Sequence, residues 1–528
     1  MGTMMDFSRV MQLMATRFRN DTVIVNVERD RRYTFMEYHR LTNRIANMMR
    51  TALGLKKGDV VLAMVENDNL SLLHLPTIFK QEATVAFSNF RESKSEHLWQ
   101  ADFVKASVVF LENKLIASYH AEFTARGCKM VAMDPLQEDE KLPGVYSFWE
   151  LVDQASDANP GVELDIYEHV PVLRFTGGTT GKGKCAMYSI DIFMGTRDAG
   201  LVWPQFGFGT DVRFLHLTPI SHGSILFFLP TFFCGGATYT MNSPDLELWC
   251  KVVEREKITH GFLVPTLMYR LADTGAGKRF DLGSLRLVAY GAAPMAPARL
   301  AQLIEQFGPV FMQLYGSTEA MQFVTALLQS DHAVHDERGL ARLSSAGRVT
   351  AGAELYIADD DGKELPPNTT GEIRIRCRAT IRGYYDNPEA SAREFSNGFW
   401  LSGDMGYLDE DGYLFIVDRK KDMIITGGFN VYAVEVEAAL SEHPAVSASA
   451  VVGIPHAEWG EAVHAEVVLR PGQEVDPDEL IDFSKKRLGY KAPKSIRIVE
   501  ELPVSPVGKV LRRSVREKYW KDSRRGVG

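Results

Sequence analysis

The sequence predicts a large N-terminal α/β domain followed by a smaller α+β domain. The larger part reads as parallel sheets covered by helices, plus a small β-barrel-like unit. Three observations carry this expectation. Short apolar strand patterns alternate with helical ones through the first part of the chain. From Ala353 the character changes to short alternating strands with Asp/Gly turns, as in Asp359-Asp360-Asp361-Gly362 and Asp409-Glu410-Asp411-Gly412. Beyond the polar stop Arg419-Lys420-Lys421-Asp422, roughly 110 residues carry helix and strand signals of their own. The expected domains are therefore residues 1–420 and 421–528.

The elements follow in order. Residues 35–53 read as a helix, because Leu41, Ile45, Ala46, Met49 and Leu53 recur at helical spacing. Residues 54–58 break it, 59–65 read as a buried strand and 72–79 as the next helix. Residues 108–111 and 130–133 are short apolar strands, and the polar stretch 137–160 reads as surface connection. A strand over 170–175 leads into Phe175-Thr176-Gly177-Gly178-Thr179-Thr180-Gly181-Lys182-Gly183-Lys184. Residues 214–217 form a strand running into Pro219-Ile220-Ser221-His222-Gly223, and 261–271 read as a loop entering a helix. Strand 285–290 ends in Gly291-Ala292-Ala293-Pro294, and strand 310–314 in Tyr315-Gly316-Ser317-Thr318-Glu319. Three apolar strands thus end in small or polar clusters, where α/β folds bind ligands. After Lys421 come a helix over 433–440, strands over 447–452 and 462–469, a helix over 477–488 and a strand over 495–499.

Composition narrows the function. With 528 residues the chain exceeds one ordinary core. Its 45% hydrophobic and 24% charged residues are those of a soluble globular protein. A formal net charge of -9 argues against a nucleic-acid binder, which needs a basic footprint. Five cysteines (Cys128, Cys185, Cys234, Cys250, Cys377) show no close metal-type pairing, so free thiols in a reducing, cytoplasmic compartment are expected. The first 17 residues mix polar and apolar types, so no secretory signal is expected. The most apolar run, residues 225–234, contains Pro230 and is too short to span a bilayer, so no transmembrane segment is expected. A homodimer stays compatible with the sequence.

The glycine- and threonine-rich run carries the first chemistry. Its glycines allow close backbone approach, while hydroxyls and lysines complement the oxygens of a polyphosphate. It is not the common P-loop. That pattern has four residues between its first Gly and the Gly-Lys pair, whereas three separate Gly177 from Gly181-Lys182.

With five later stretches, this run resembles the adenylate-forming enzymes: acyl- and aryl-CoA ligases, peptide-synthetase adenylation domains and insect luciferases. Tyr315-Gly316-Ser317-Thr318-Glu319 resembles the family's Tyr-Gly-x-Thr-Glu motif. Ser402-Gly403-Asp404, Asp418-Arg419-Lys420-Lys421, Gly427-Gly428-Phe429-Asn430-Val431-Tyr432 and the segment around Gly508-Lys509 resemble later ones, in order. Four positions depart from the family pattern: Gly183 stands for Pro, Cys185 for Gly, Ser402 for Thr and Ala433 for Pro.

The resemblance implies two steps. A carboxylate attacks the α-phosphorus of ATP, giving acyl-AMP and pyrophosphate; the thiol of CoA then takes the acyl group and releases AMP. It assigns the loop residues Thr176, Gly177, Gly178, Thr179, Thr180, Gly181 and Lys184 to the phosphates. Glu319 is the expected Mg2+ contact, Thr318 a donor to the α-phosphate, and Lys509 the bridge between carboxylate and phosphate. Gly291, Ala292, Ala293, Tyr315 and Gly316 would face adenine, and Asp404 and Arg419 the ribose. His222 would sit beside the acyl carboxylate. Lys421 matches the hinge of a mobile C-terminal domain, and Gly427 and Gly428 a channel for CoA. Basic residues between Lys485 and Arg525 suit the phosphates of CoA.

The expected function is an ATP-dependent acid–CoA ligase. Its acid would be an apolar monocarboxylic one, fatty, aromatic or polycyclic, bound among Ser221, His222, Gly223, Gly291, Gly316, Met321 and Phe323. The rivals are an acyl-AMP ligase that loads a carrier protein, a luciferase-like oxygenase, and a non-catalytic nucleotide-binding protein.

Overall fold

A computed structural model describes residues 3–176, 183–275, 279–332, 337–420, 422–427, 429–505 and 509–520. Two large sheets form the body. The first has seven strands in the order Cys185–Tyr188, Val172–Phe175, Thr84–Phe87, Val60–Met64, Val108–Leu111, Lys129–Ala132, Val145–Ser147. All pairs are parallel except Val172–Phe175 with Cys185–Tyr188. Its central strands are continuous apolar runs, because helices cover both faces.

The second sheet has nine strands. Its parallel centre runs Phe311–Tyr315, Leu287–Gly291, His260–Leu263, Arg213–His216, Ala237–Thr240, Thr22–Asn26. Antiparallel strands close both edges. Buried polar residues tie the two sheets together. Asn67 donates to the carbonyl oxygens of Thr218 at 3.1 Å and Met241 at 2.8 Å. The Tyr188 hydroxyl donates to the carbonyl oxygen of Thr318 at 2.7 Å.

Local chemistry explains the principal helices. Phe35–Thr51 starts at a capping box in which Thr34 and Glu37 satisfy each other's backbone N–H groups. Pro477–Leu488 starts with Asp476 as N-cap and ends in Lys485, Lys486 and Arg487, opposing the helix dipole at both ends.

A third sheet, Ala353–Ala358, Gly371–Cys377, Phe399–Leu408, Phe395–Ser396 and Leu414–Arg419, is antiparallel throughout. This is the β unit expected from the Asp/Gly turns. The smaller C-terminal domain has its own five-stranded sheet, centred on the pair Val446–His456 and Gly460–Leu469. Its core gathers Val436, Leu440, Val451, Val463, Val467 and Leu480.

Several readings change. Residues 72–79 are not one helix but two, Asn67–Leu73 and Leu75–Ile78, because Pro76 cannot continue a helix and starts a new one. The stretch 137–160 is not all surface: it holds the edge strand Val145–Ser147 and the helix Phe148–Asp153, with Phe148 fully buried. A strand, His260–Leu263, precedes the helix Pro265–Asp273 where a loop was expected. The run 225–234 is the helix Ile225–Phe233, with Pro230 inside it. Among the described residues no helix is long and apolar enough to cross a membrane, and all five cysteines are free thiols.

Candidate active site

Strand Val172–Phe175 hands the chain to Thr176, whose N–H donates to the carbonyl oxygen of Lys184 at 2.7 Å and closes the base of the glycine loop. Gly177, Gly178, Thr179, Thr180 and Gly181 lie outside the described residues, as do Lys421 and Gly428. Lys184 is already engaged. Its ammonium donates to the Tyr384 hydroxyl at 2.9 Å, pairs with Glu394 and lies 4.0 Å from Glu319 Oε1. The Tyr384 hydroxyl is 2.9 Å from Glu319 and 2.7 Å from Glu394, so its one proton serves one carboxylate at a time. Burial and the two carboxylates push the Tyr384 phenol far up, so it stays protonated. Burial opposes the charge on Glu394, but Lys184 and Tyr384 more than offset it and hold the carboxyl below its usual range.

The next two strand ends meet closely. A Cβ on Gly291 would lie 2.2 Å from the Leu314 carbonyl oxygen, and one on Gly316 would lie 2.6 Å from that of Gln322. Ala292 takes φ 65°, left-handed backbone that is strained for alanine, and Ala293 follows it. Tyr315 donates its hydroxyl to Asp404 at 2.6 Å, and Arg419 Nε reaches the other Asp404 oxygen at 2.5 Å. Burial opposes the charge on Arg419, and Asp404 more than restores it. Ser402 keeps the role of the expected Thr. Its hydroxyl donates to the Ile373 carbonyl oxygen at 2.6 Å and accepts the Asp404 N–H at 3.0 Å.

On the third side, the turn after strand Arg213–His216 carries His222, with Nδ1 3.0 Å from Ser221 Oγ. Burial, then Arg174 and Lys509, push His222 well below the usual histidine range, so the ring is neutral. Behind it lies an aromatic cluster. Phe323 packs against Phe206 and Phe227 at ring-centroid distances of 4.5 and 5.3 Å, and Phe262 would lie 3.5 Å from a Cβ on Gly223. Met321 is buried in the adjoining core, with Ile220 and Phe228 in the same cluster.

Lys509 enters from the C-terminal domain. Its turn is held by the Val504–Val510 bridge, by Ser505 N–H on the Lys509 carbonyl oxygen at 2.7 Å, and by Lys509 N–H on Ser505 Oγ at 3.1 Å. The side chain keeps contact with solvent, yet Arg419, Asp404, Arg174 and Glu319 all act on its charge. Desolvation, then Arg419, push the ammonium down to about 8. No ion pair holds it among the described residues. Three residues on, Arg512 pairs with Asp418 at 3.0 Å and Glu437 at 2.6 Å, anchoring the segment beside Arg419. Asp418 also accepts the Ala433 N–H at 2.6 Å, a bond that the family's usual Pro would not make. Gly427 takes φ 56° and donates its N–H to the Trp459 carbonyl oxygen at 3.0 Å.

The basic C-terminal end is less available than its sequence suggests. Arg487, Lys491, Arg512, Arg513, Arg516 and Lys518 are each in an ion pair within the same domain. Tyr384, Glu394 and Tyr188 also join the site without having been expected from the sequence. Nothing local marks Glu394. Tyr384 stands in an Arg-Gly-Tyr-Tyr run that reads as an ordinary turn.

The AMP-binding enzyme family matches residues 11–385, and the AMP-binding enzyme C-terminal domain matches residues 435–509. A medium/long-chain-fatty-acid–CoA ligase, FadD8 of Mycobacterium tuberculosis, is 40% identical over 67% of this chain. The matched region spans 62% of that relative's length. The fatty acid–[acyl-carrier-protein] ligase ScoC of Streptomyces coeruleorubidus is 31% identical over 94% of this chain and 93% of its own. Among solved structures, ATP-bound MatB from Rhodopseudomonas palustris superposes with a TM-score of 0.86 at 26% identity, covering 99% of both chains. With the family's matches covering residues 11–385 and 435–509, from the first helix to Lys509, the chain belongs to the AMP-binding enzymes.

Proposed function

We propose that this protein is an ATP-dependent acid–CoA ligase that forms acyl-AMP and pyrophosphate and then passes the acyl group to CoA. The observation that carries the reading is Lys509. Arg419, Asp404 and Glu319 act on the charge of this lysine from the far domain, and the lysine acts on His222 in turn. In the first step the acid's carboxylate oxygen attacks the α-phosphorus, and pyrophosphate leaves with the broken bond's electron pair. The Lys509 ammonium lies between both partners and offsets the charge that builds on the phosphate oxygens. Thr176, Thr318 and Lys184 complete the phosphate side, Tyr315 and Gly291 to Ala293 the adenine side, and Asp404 with Arg419 the ribose. A carboxylate nucleophile needs no general base, and neutral His222 orients it without competing for its charge.

Mg2+ fits Glu319. This hard cation is held by one or two carboxylates together with substrate phosphates and water, and Glu319 offers a half-satisfied carboxylate 4.0 Å from the Lys184 ammonium. When bound it would offset charge on the departing pyrophosphate. The domain boundary falls at Lys421 in this reading, and rotation about it withdraws Lys509 before the thiol arrives. The aromatic cluster behind His222 favours an acid with an apolar body. The likeness to ScoC supports one second reading, in which a carrier protein's phosphopantetheine replaces CoA.

The test is a panel of monocarboxylic acids scored by pyrophosphate release, then repeated with CoA and with a holo-carrier protein. Acid-dependent pyrophosphate and a CoA thioester are expected. A thioester on the carrier alone would move the protein to the second reading, and release without any thioester would overturn both.

A further inference from the structure

Arg174 has no role so far, and its surroundings call for one. It stands in the middle of strand Val172–Phe175 in the seven-stranded sheet, 7% exposed. Leu173 and Phe175 point into one apolar cluster, and Val172 into another. Side chains alternate along a strand, so Arg174 shares its face with Thr176, roughly 7 Å further from the phosphate loop. Its Nε has no hydrogen-bond partner, and no carboxylate among the described residues pairs with it. The neutral Tyr188 interacts with it, but that hydroxyl gives its proton to the Thr318 carbonyl oxygen and carries no counter-charge. A buried guanidinium without a counter-ion is strongly unfavourable, and proteins keep one where a ligand supplies the missing charge.

Its neighbours indicate which ligand. Arg174 acts on the charges of both His222 and Lys509. It therefore lies within electrostatic reach of both the turn assigned to the acid and the lysine assigned to the anhydride. We infer that Arg174 binds the reacting carboxylate of the acid and keeps hold of the remaining acyl oxygen through both half-reactions. This deepens the ligase reading and rests on it.

The chemistry balances. One carboxylate oxygen attacks phosphorus while the other stays on the guanidinium as the carbonyl oxygen of the acyl-AMP. In the second step the CoA sulfur attacks that carbonyl carbon, and the electron pair moves onto the oxygen held by Arg174. The pair returns as the carbon–oxygen bond to AMP breaks, AMP leaves as an anion, and the thiol proton goes to solvent. In the ligase reading Lys509 belongs to the domain that rotates, whereas Arg174 belongs to a central sheet of the larger domain. The fixed cation can stabilise both transition states, and the mobile one only the first.

The full-length Arg174→Met variant tests this, with Arg174→Lys beside it. Four quantities are measured: acid-dependent pyrophosphate–ATP exchange, thioester formation from supplied acyl-AMP, ATP affinity by calorimetry, and the melting temperature. Arg174→Met should lose about 100-fold in kcat/KM in both half-reactions. It should bind ATP as the wild type does and melt at the same temperature or higher, because an unpaired buried charge has gone. Arg174→Lys should recover part of both rates. Half-reactions within threefold of wild type would overturn the role. So would a loss confined to ATP affinity, a loss confined to dicarboxylic acids, or a lowered melting temperature with the rates intact. Wild-type silence across the acid panel would remove the ligase reading and this role with it, whereas an active wild type beside an equally active variant would remove only the role.

Discussion

Two lysines face the site, and they are held in opposite ways. Lys184, at the end of the glycine loop, is satisfied: it pairs with Glu394, donates to Tyr384 and lies 4.0 Å from Glu319. Lys509, on a turn of the C-terminal domain, has no ion pair among the described residues, and its ammonium is pushed down to about 8. The difference separates two uses of the same charge. A lysine tied to carboxylates is kept in place when no ligand is present, and a phosphate must compete for it. A lysine left without a carboxylate keeps its full attraction for the anion that arrives. Arg174 belongs with Lys509 in this respect, although it sits on a rigid strand.

The largest effect is expected where the charge is uncommitted. Lys509→Ala should lower adenylation by about 1000-fold while thioester formation from supplied acyl-AMP stays near the wild-type rate. Equal loss in both half-reactions would break the contrast with Arg174. Lys184→Met should cost less, about 10- to 100-fold in ATP affinity, the range of one charge-assisted hydrogen bond. A Lys184→Met variant as damaged as Lys509→Ala would show that its pairing with Glu394 does not persist once ATP binds.

The pH profile sharpens the same comparison. With the Lys509 ammonium pushed down to about 8, kcat/KM for adenylation should be level below that pH. It should then fall about tenfold per unit above it, as the cation is lost. Thioester formation from supplied acyl-AMP should lack this alkaline limb. Lys509→Arg should keep residual activity and lose the limb, because a guanidinium does not deprotonate in this range. An unchanged limb in that variant would assign it to another group.

Much of the fold was legible because period and punctuation agree. The helix Pro477–Leu488 and the strand Val108–Leu111 fall where the pattern puts them. Short strands such as His260–Leu263 escaped because four residues beginning with His-Gly carry too little alternation to register. In the site, residues inside ordered motifs could be proposed in advance, and Lys509 lies within electrostatic reach of Glu319, His222, Asp404 and Arg419. Glu394 could not be read: its importance is its distance to Lys184, and 210 residues separate them in the chain. Arg174 did leave a trace, as a lone charge in the apolar run Val-Pro-Val-Leu-Arg-Phe. That trace is ambiguous until the structure shows the charge buried without a carboxylate partner among the described residues.

The smallest expected effect asks whether the pairing of Lys184 is a restraint or a support. Glu394→Gln keeps the shape and a hydrogen bond to Tyr384 or Lys184 but removes the charge. The pair is only partly buried, with side chains 30% and 20% exposed, so its loss should lower stability by about 0.5–1 kcal/mol at most. Released from its carboxylate, Lys184 should turn more readily to the ATP phosphates. Calorimetry should then show ATP binding about threefold tighter, with adenylation of saturating substrates unchanged, because Glu394 acts on the unliganded state alone. Weaker ATP binding would invert the argument: Glu394 would then position Lys184 for the phosphate rather than compete for it, and the two lysines would differ only in where they are anchored.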